Sequence, residues 1–329
     1  MRLELAFGQW GDFNMTFEFN PFKDGITQGL LTMFMRCREE ARNHINGLEQ
    51  IRTSGALQFG SMTHEVLELI YSHFNFPPTE STIVSTIDDV RTKFLKEEGG
   101  RLSGEGMANL EQNIAMMEAV LPLYFQHYKG DFKKDYWVEL EKVFRVPSPV
   151  KGIDLIGRID GAFRPRPEEL WLFESKTKGR IEEDNLSDTL TFDFQNNVYQ
   201  YALKHKYQQR PKGVLYNIIR RPGNKLGKDE QLSKFSSRIR DAVVKDPSYY
   251  FIRFEVAVPQ TELNRFEVEL KKIIEEFVLW WRGELATYRN TSACMQRYGA
   301  CRFLPKCANG EVGLYRQREN MFPELVESK

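Results

Sequence analysis

Apolar residues recur at helical spacing through the first part of the chain. From Thr27 to Asn46, Leu30, Leu31, Phe34 and Met35 form one stripe, on a predicted helix that also carries Cys37. A second helix is predicted to start near Gly60, with Met62, Val66, Leu67, Leu69, Ile70 and Phe74 as its apolar face and His64 near its beginning. After Pro77 and Pro78 the spacing predicts helices from Ile83 to Lys96 and from Glu105 to Tyr128, separated by Gly99 and Gly100. At Trp137 the period drops to two. Alternation up to Val146 predicts a half-buried strand with two acids, Glu139 and Glu141; one could approach a metal site, but strand glutamates in such alternation mostly face solvent, and neither is taken into the candidate site.

The next two apolar runs, Ile153 to Gly161 and Leu170 to Lys176, flank a turn through Arg164, Pro165, Arg166 and Pro167, which predicts an antiparallel hairpin. A polar connection over residues 177–194 leads to a helix from Phe194 to Lys206. Buried strands are predicted from Val214 to Ile219 and from Tyr249 to Val258. The longest helix should run from Thr261, as N-cap, to Arg289, burying Phe266, Leu270, Ile273, Ile274, Phe277, Trp281 and Leu285. Residues 1–26 are aromatic and polar with little period, and are expected to form a lead-in strand or arm. The pattern is α/β with four segments: 1–76, a helical insertion over 77–130, a core over 131–260, and a long helix with a cysteine-rich end over 261–329.

The hairpin carries the chemistry. Asp160 is expected to close its first strand, while Glu174 and Lys176, two residues apart, share one face of the second. Carboxylate oxygens are hard ligands suited to Mg²⁺ or Mn²⁺, and a neighbouring ammonium can hold an attacking water and offset charge developing on phosphorus. An ordinary hairpin with exposed charges fits the same letters. Gln195 and Tyr199 lie one turn apart, where an amide and a phenol can bond a phosphate backbone or steady the lysine.

The order of these residues resembles the PD-(D/E)XK nuclease superfamily, and in particular its RecB-like branch. Asp160 and the Glu174, Ser175, Lys176 run resemble the family core, Gly60 to His64 resembles the branch's G-x-x-x-H element, and Gln195 to Tyr199 its Q-x-x-x-Y helix. The resemblance implies a mixed-sheet nuclease core in which Asp160, Glu174, His64 and the Ser175 carbonyl bind Mg²⁺ or Mn²⁺. Lys176 would position the attacking water, and Gln195 and Tyr199 would organise the substrate. It implies exonuclease action on DNA, with single-stranded stretches or ends, in recombination, repair or phage DNA metabolism, and a helicase, recombinase or other protein as a possible partner. An endonuclease with the same site, or a non-catalytic DNA-binding or assembly subunit retaining the fold, are the alternatives.

Four cysteines remain. Cys294, Cys301 and Cys307 lie close together near the C-terminal end, and Cys37 is the fourth. Four thiolates can hold either a [4Fe–4S] cluster or a structural zinc ion. One N-terminal and three C-terminal cysteines resemble the iron–sulfur members of the RecB-like branch, including AddB-type subunits and CRISPR-associated exonucleases, which implies a [4Fe–4S] clasp joining the chain ends. The six residues between Cys294 and Cys301 depart from that family's two.

Net charge is zero, so any polyanion surface must be local. Between Phe194 and Lys228 there are eight Lys or Arg and no acid, which makes Arg220, Arg221 and Lys225 the candidate DNA contacts. No apolar run reaches the roughly 20 residues of a membrane span, and the first residues lack a signal-peptide core, so no membrane partner and a cytoplasmic location are expected.

Overall fold

The computed structural model describes residues 18–50, 55–179, 186–296 and 299–325. Most of the expected N-terminal arm, residues 1–17, and residues 180–185 of the expected polar connection lie outside them. Six strands form one mixed sheet: β1 (Ile26–Thr27), β2 (Trp137–Pro147), β3 (Asp154–Phe163), β4 (Trp171–Lys178), β5 (Gly213–Arg220) and β6 (Phe251–Ala257). β2 runs antiparallel along one edge of β3. The other edge of β3 is shared: β1 pairs in parallel at Leu155 and Ile156, and β4 pairs antiparallel only from Gly161 to Phe163. Beyond β4 come β5, parallel, and β6, antiparallel.

Helices cover both faces. α1 (Gln28–Arg36), α6 (Phe194–Tyr207) and α8 (Gln260–Trp281) place Leu30, Leu31, Phe34, Val198, Leu270, Ile274 and Phe277 in one apolar cluster with Leu172 and Ile218 of the sheet. α3 (Gly55–His73), α4 (Glu80–Glu98), α5 (Gly104–His127) and α7 (Leu232–Lys245) form the opposite layer on Ile219 and Phe251. All eight residues of β5 are buried, as expected of a strand covered on both faces.

Several sequence expectations are corrected here. The single helix from Thr27 to Asn46 is two, α1 and α2 (Arg38–Ile45), because Cys37 between them is extended (φ −159°, ψ 116°). The break leaves the Arg36 carbonyl without a helical partner, and the Asn290 side chain donates to it at 2.9 Å. α3 runs through Gly60 rather than starting there, so His64 sits mid-helix. Gly60 is instead a point of close approach, since a Cβ would lie 3.0 Å from Thr177 Oγ1. β3 continues past Asp160 to Phe163. α8 has Pro259, not Thr261, at its N-cap and stops at Trp281, just before Gly283 in the left-handed region (φ 81°). At 22 residues α8 is shorter than α5, with 24. Near the C-terminal end, Tyr315–Gln317 pairs antiparallel with Leu48–Gln50.

Candidate active site

The site lies where β3 and β4 part. Their backbone ladder runs Phe163 with Trp171, Ala162 with Leu172 and Gly161 with Phe173. At the next position the partner is a side chain: Oδ2 of Asp160 accepts the Ser175 N–H at 2.7 Å. A residue in a strand presents its N–H and C=O to the same edge, so the Ser175 carbonyl faces this same opening. Alternation puts Glu174 and Lys176 on the α6 side of the sheet and Ser175 on the other.

Across β3, pairing of Leu140 with Gly161 and of Lys142 with Ile159 sets Glu141 opposite Asp160. Like charges directly opposite destabilise a ladder unless something intervenes. His64 of α3 is placed to intervene, with Nδ1 3.5 Å from Glu141 Oε1 and 3.6 Å from Asp160 Oδ1. Arg158 Nε is 3.3 Å from the other oxygen of Glu141. Glu141 has a left-handed backbone (φ 45°), rare for a non-glycine residue and a local strain that re-aims its side chain. Ligand atoms of His64, Glu141 and Asp160 lie within 4.8 Å of one another, the one such group among the described residues. They line a cleft of about 430 Å³ together with Arg158, Tyr199 and Leu325.

Glu174 is fully buried; one oxygen bonds Lys176 and the other, Oε2, has no partner among the described residues. Burial, then the neighbouring Asp160 carboxylate, push Glu174 up to about 8. Burial opposes charge on His64 and on Lys176, but Asp160 with Glu141, and Glu174 with Asp160, outweigh it. His64 is raised to about 9, and Lys176 is held well above its ordinary value. Gln195 Oε1 accepts from Lys176 at 3.3 Å, and its Nε2 donates to the Tyr199 hydroxyl at 3.2 Å. Gly157 leaves room for this arrangement: a Cβ there would lie 2.7 Å from the Phe144 ring and 3.5 Å from Tyr199.

His64, Asp160, Glu174, Ser175, Lys176, Gln195 and Tyr199 therefore converge. Glu141, one of two strand acids left out of the expected site, joins them. The hairpin register that puts it opposite Asp160 was the missing signal, because alternation alone treats Glu139 and Glu141 alike. Glu139 does turn elsewhere, to Lys206.

The basic run is corrected more severely. Arg220 is 8% exposed, stacks 4.0 Å over Tyr249 and donates to that residue's carbonyl. Arg221 lies over Phe59 and bonds Asn113, and burial lowers its pKa. Lys204 and Lys206 pair with Glu267 and Glu139. Of the three candidate DNA contacts only Lys225 is exposed. A charge run in sequence is not a patch when a buried strand and a helix divide it.

All four cysteines line one small cavity, with Asn290, Phe303 and Leu304. Asn290 N–H donates to Cys37 Sγ at 3.4 Å, and Cys301 N–H to the Cys294 carbonyl at 2.8 Å. Burial pushes the Cys301 and Cys307 thiols up.

No described helix is long and apolar enough to cross a membrane. Among solved structures, a candidate exonuclease from Eubacterium rectale is similar at 13% identity over 81% of this chain and 85% of that one, with a TM-score of 0.51, which supports the fold. SSO0001 is similar at 14% identity over 65% of this chain and 77% of that one; its TM-score of 0.30 carries no argument. No curated protein matches the sequence. Residues 29–308 match the PD-(D/E)XK nuclease superfamily, whose members use divalent metals, and that span takes in the whole hairpin and its acids. The chain belongs to the PD-(D/E)XK nuclease superfamily.

Proposed function

We propose that this protein is a Mg²⁺- or Mn²⁺-dependent DNA exonuclease of the RecB-like branch. The orphaned Oε2 of Glu174 carries the reading. A buried carboxylate with an unused oxygen is costly unless a cation or a proton meets it, and this one sits beside Asp160 and an open carbonyl edge. Hard oxygens with one imidazole suit Mg²⁺ or Mn²⁺. Asp160, Glu174, His64, Glu141 and the Ser175 carbonyl would hold the ion, which when bound supplies Lewis-acid activation of water and of the scissile phosphate. Lys176 donates to the attacking water and its charge offsets that accumulating on phosphorus. Gln195, itself fixed by Tyr199, sets the direction of that ammonium.

Recessed acids support a single strand or a strand end as substrate: the side chains of Asp160 and Glu141 are 15% and 9% exposed, inside a cleft walled by α3. The branch resemblance and the candidate exonuclease neighbour support exonuclease action, and the branch suggests recombination, repair or phage DNA metabolism with a helicase or recombinase partner. End-labelled linear DNA beside a closed single-stranded circle tests the mode. Loss of the linear strand with the circle intact is expected, and cutting of the circle would make the enzyme an endonuclease.

The cysteines we assign to a [4Fe–4S] cluster. Four thiols converge on one cavity, yet no three of their sulfurs lie within 4.8 Å of one another. Tetrahedral zinc at its usual bond length would hold thiolates roughly 3.8 Å apart. The wider spacing favours the larger group. Iron and sulfide with a brown colour are expected; stoichiometric zinc without colour would overturn the assignment.

A further inference from the structure

Behind the catalytic strand lies a row of polar side chains that neither the candidate site nor the nuclease reading uses. Ser175, Asn217 and Arg253 are direct neighbours across β4, β5 and β6. Their surroundings on β5 are Val214, Leu215, Ile218 and Ile219, so three polar residues in register interrupt an apolar interior. Asn217, with no exposure, uses its amide on both sides. Nδ2 donates to Ser175 Oγ at 3.0 Å, and Oδ1 accepts from Arg253 Nε at 2.9 Å and from the Tyr124 hydroxyl at 3.1 Å.

The row ends in a fixed anchor. Arg253 makes a two-pronged ion pair with Asp131 at 2.9 and 2.6 Å, and its guanidinium stands 3.5 Å over the Tyr128 ring. Asp131 also accepts from the Tyr71 hydroxyl at 2.8 Å. Tyr71 lies on α3, two turns after His64, so the chain of bonds joins the helix that presents His64 to the strand residue whose amide holds Asp160. Buried networks of this kind are stabilising only when every member is satisfied, and they fix geometry.

We infer that Asn217 and Arg253 are positioning residues that set the spacing between His64 and the Asp160, Ser175 pair, and so the geometry of the cation site. Without the row, α3 and β4 meet through side-chain packing such as that of Tyr71 on Phe173, and packing tolerates shifts that a metal site does not. This inference rests on the metal-dependent reading. Groups that orient metal ligands from behind commonly change affinity by about 10- to 100-fold.

The test is Mn²⁺ affinity by calorimetry on the full chain, with melting temperature measured in parallel. Ser175→Ala removes the hydroxyl and keeps the backbone groups, and Asn217→Leu removes the centre of the row. Both are expected to weaken Mn²⁺ by about 10-fold or more. Ile239→Ala, a fully buried side chain of the same layer with no bond to the row, should lower the melting temperature and leave Mn²⁺ affinity within about two-fold. Wild-type affinity in both row variants, or an equal loss in Ile239→Ala, overturns the inference. If Asn217→Leu does not fold, Ser175→Ala decides. Failure of wild type itself to bind Mn²⁺ would instead remove the metal-dependent reading.

Discussion

The acidic cleft and the cysteine cavity both gather side chains from distant parts of the chain, but they hold them differently. In the cleft, three strands and a helix do the holding. Asp160 takes a ladder position on Ser175, Glu141 is fixed by register, and His64 is carried by a 19-residue helix in the apolar core. Around the cysteines, the buried apolar support among the described residues is Leu48, Phe303 and Tyr315. The cleft is preorganised, at the cost of crowding unneutralised charge. On the proposed ligation the cysteine region would depend on what its thiols bind, since a ligand there would add directly to folding free energy. Loss of metal should therefore cost chemistry at one end of the molecule and structure at the other.

The sharpest break of that contrast is Glu174→Gln. It should reduce DNA cleavage by about 10³-fold with only a modest change in melting temperature, because the amide keeps the shape and an oxygen that accepts from Lys176 while removing a buried charge. A turnover assay and a thermal melt on one preparation check both halves. Cys301→Ser should show the reverse emphasis. Loss of visible absorbance and iron should accompany a melting temperature lower by roughly 4 °C, the equivalent of about 3 kcal/mol in a chain this long. A metal-free mutant with an unchanged melt would mean that the cysteine region is preorganised too.

Glu141→Gln sharpens the description of the cleft. It keeps the shape and removes one negative charge, and should weaken Mn²⁺ by about 10-fold with little change in the melt. The smallest effect expected is on pH dependence. In the metal-free protein Glu174 is raised to about 8 and His64 to about 9. Folded values above the ordinary ones mean that the protonated forms stabilise the fold, and this contribution is lost as pH rises through 8 and 9. Melts in EDTA should fall between pH 6.5 and 9, and the increment given by Mg²⁺ should grow over the same interval, since the ion binds the deprotonated ligands. An increment flat with pH would contradict the protonated resting state.

Much of this was legible in the sequence because local pattern and local geometry agree. Alternation from Trp137 and the Pro-rich turn fixed the hairpin, and two-residue spacing put Glu174 and Lys176 on one face. What was not legible depended on register and on contacts across the chain. Glu141 could not be told from Glu139 without the strand pairing that opposes it to Asp160. The break at Cys37 is satisfied by Asn290, more than two hundred residues away. Arg220 and Arg221 looked like a phosphate track because nothing in a charge run shows that Tyr249 and Phe59 cover them. Gly60 looked like a helix start because its close approach to Thr177 is tertiary.

The central claim is that this cleft cleaves DNA only with a divalent ion and only with its lysine. The most direct measurement is release of label from end-labelled single-stranded DNA in EDTA, Mg²⁺ and Mn²⁺, for wild type and Lys176→Ala. The account predicts cleavage by wild type with either ion, none in EDTA, and loss of cleavage in the variant despite retained DNA binding. Cleavage in EDTA, or a variant as fast as wild type, would contradict it.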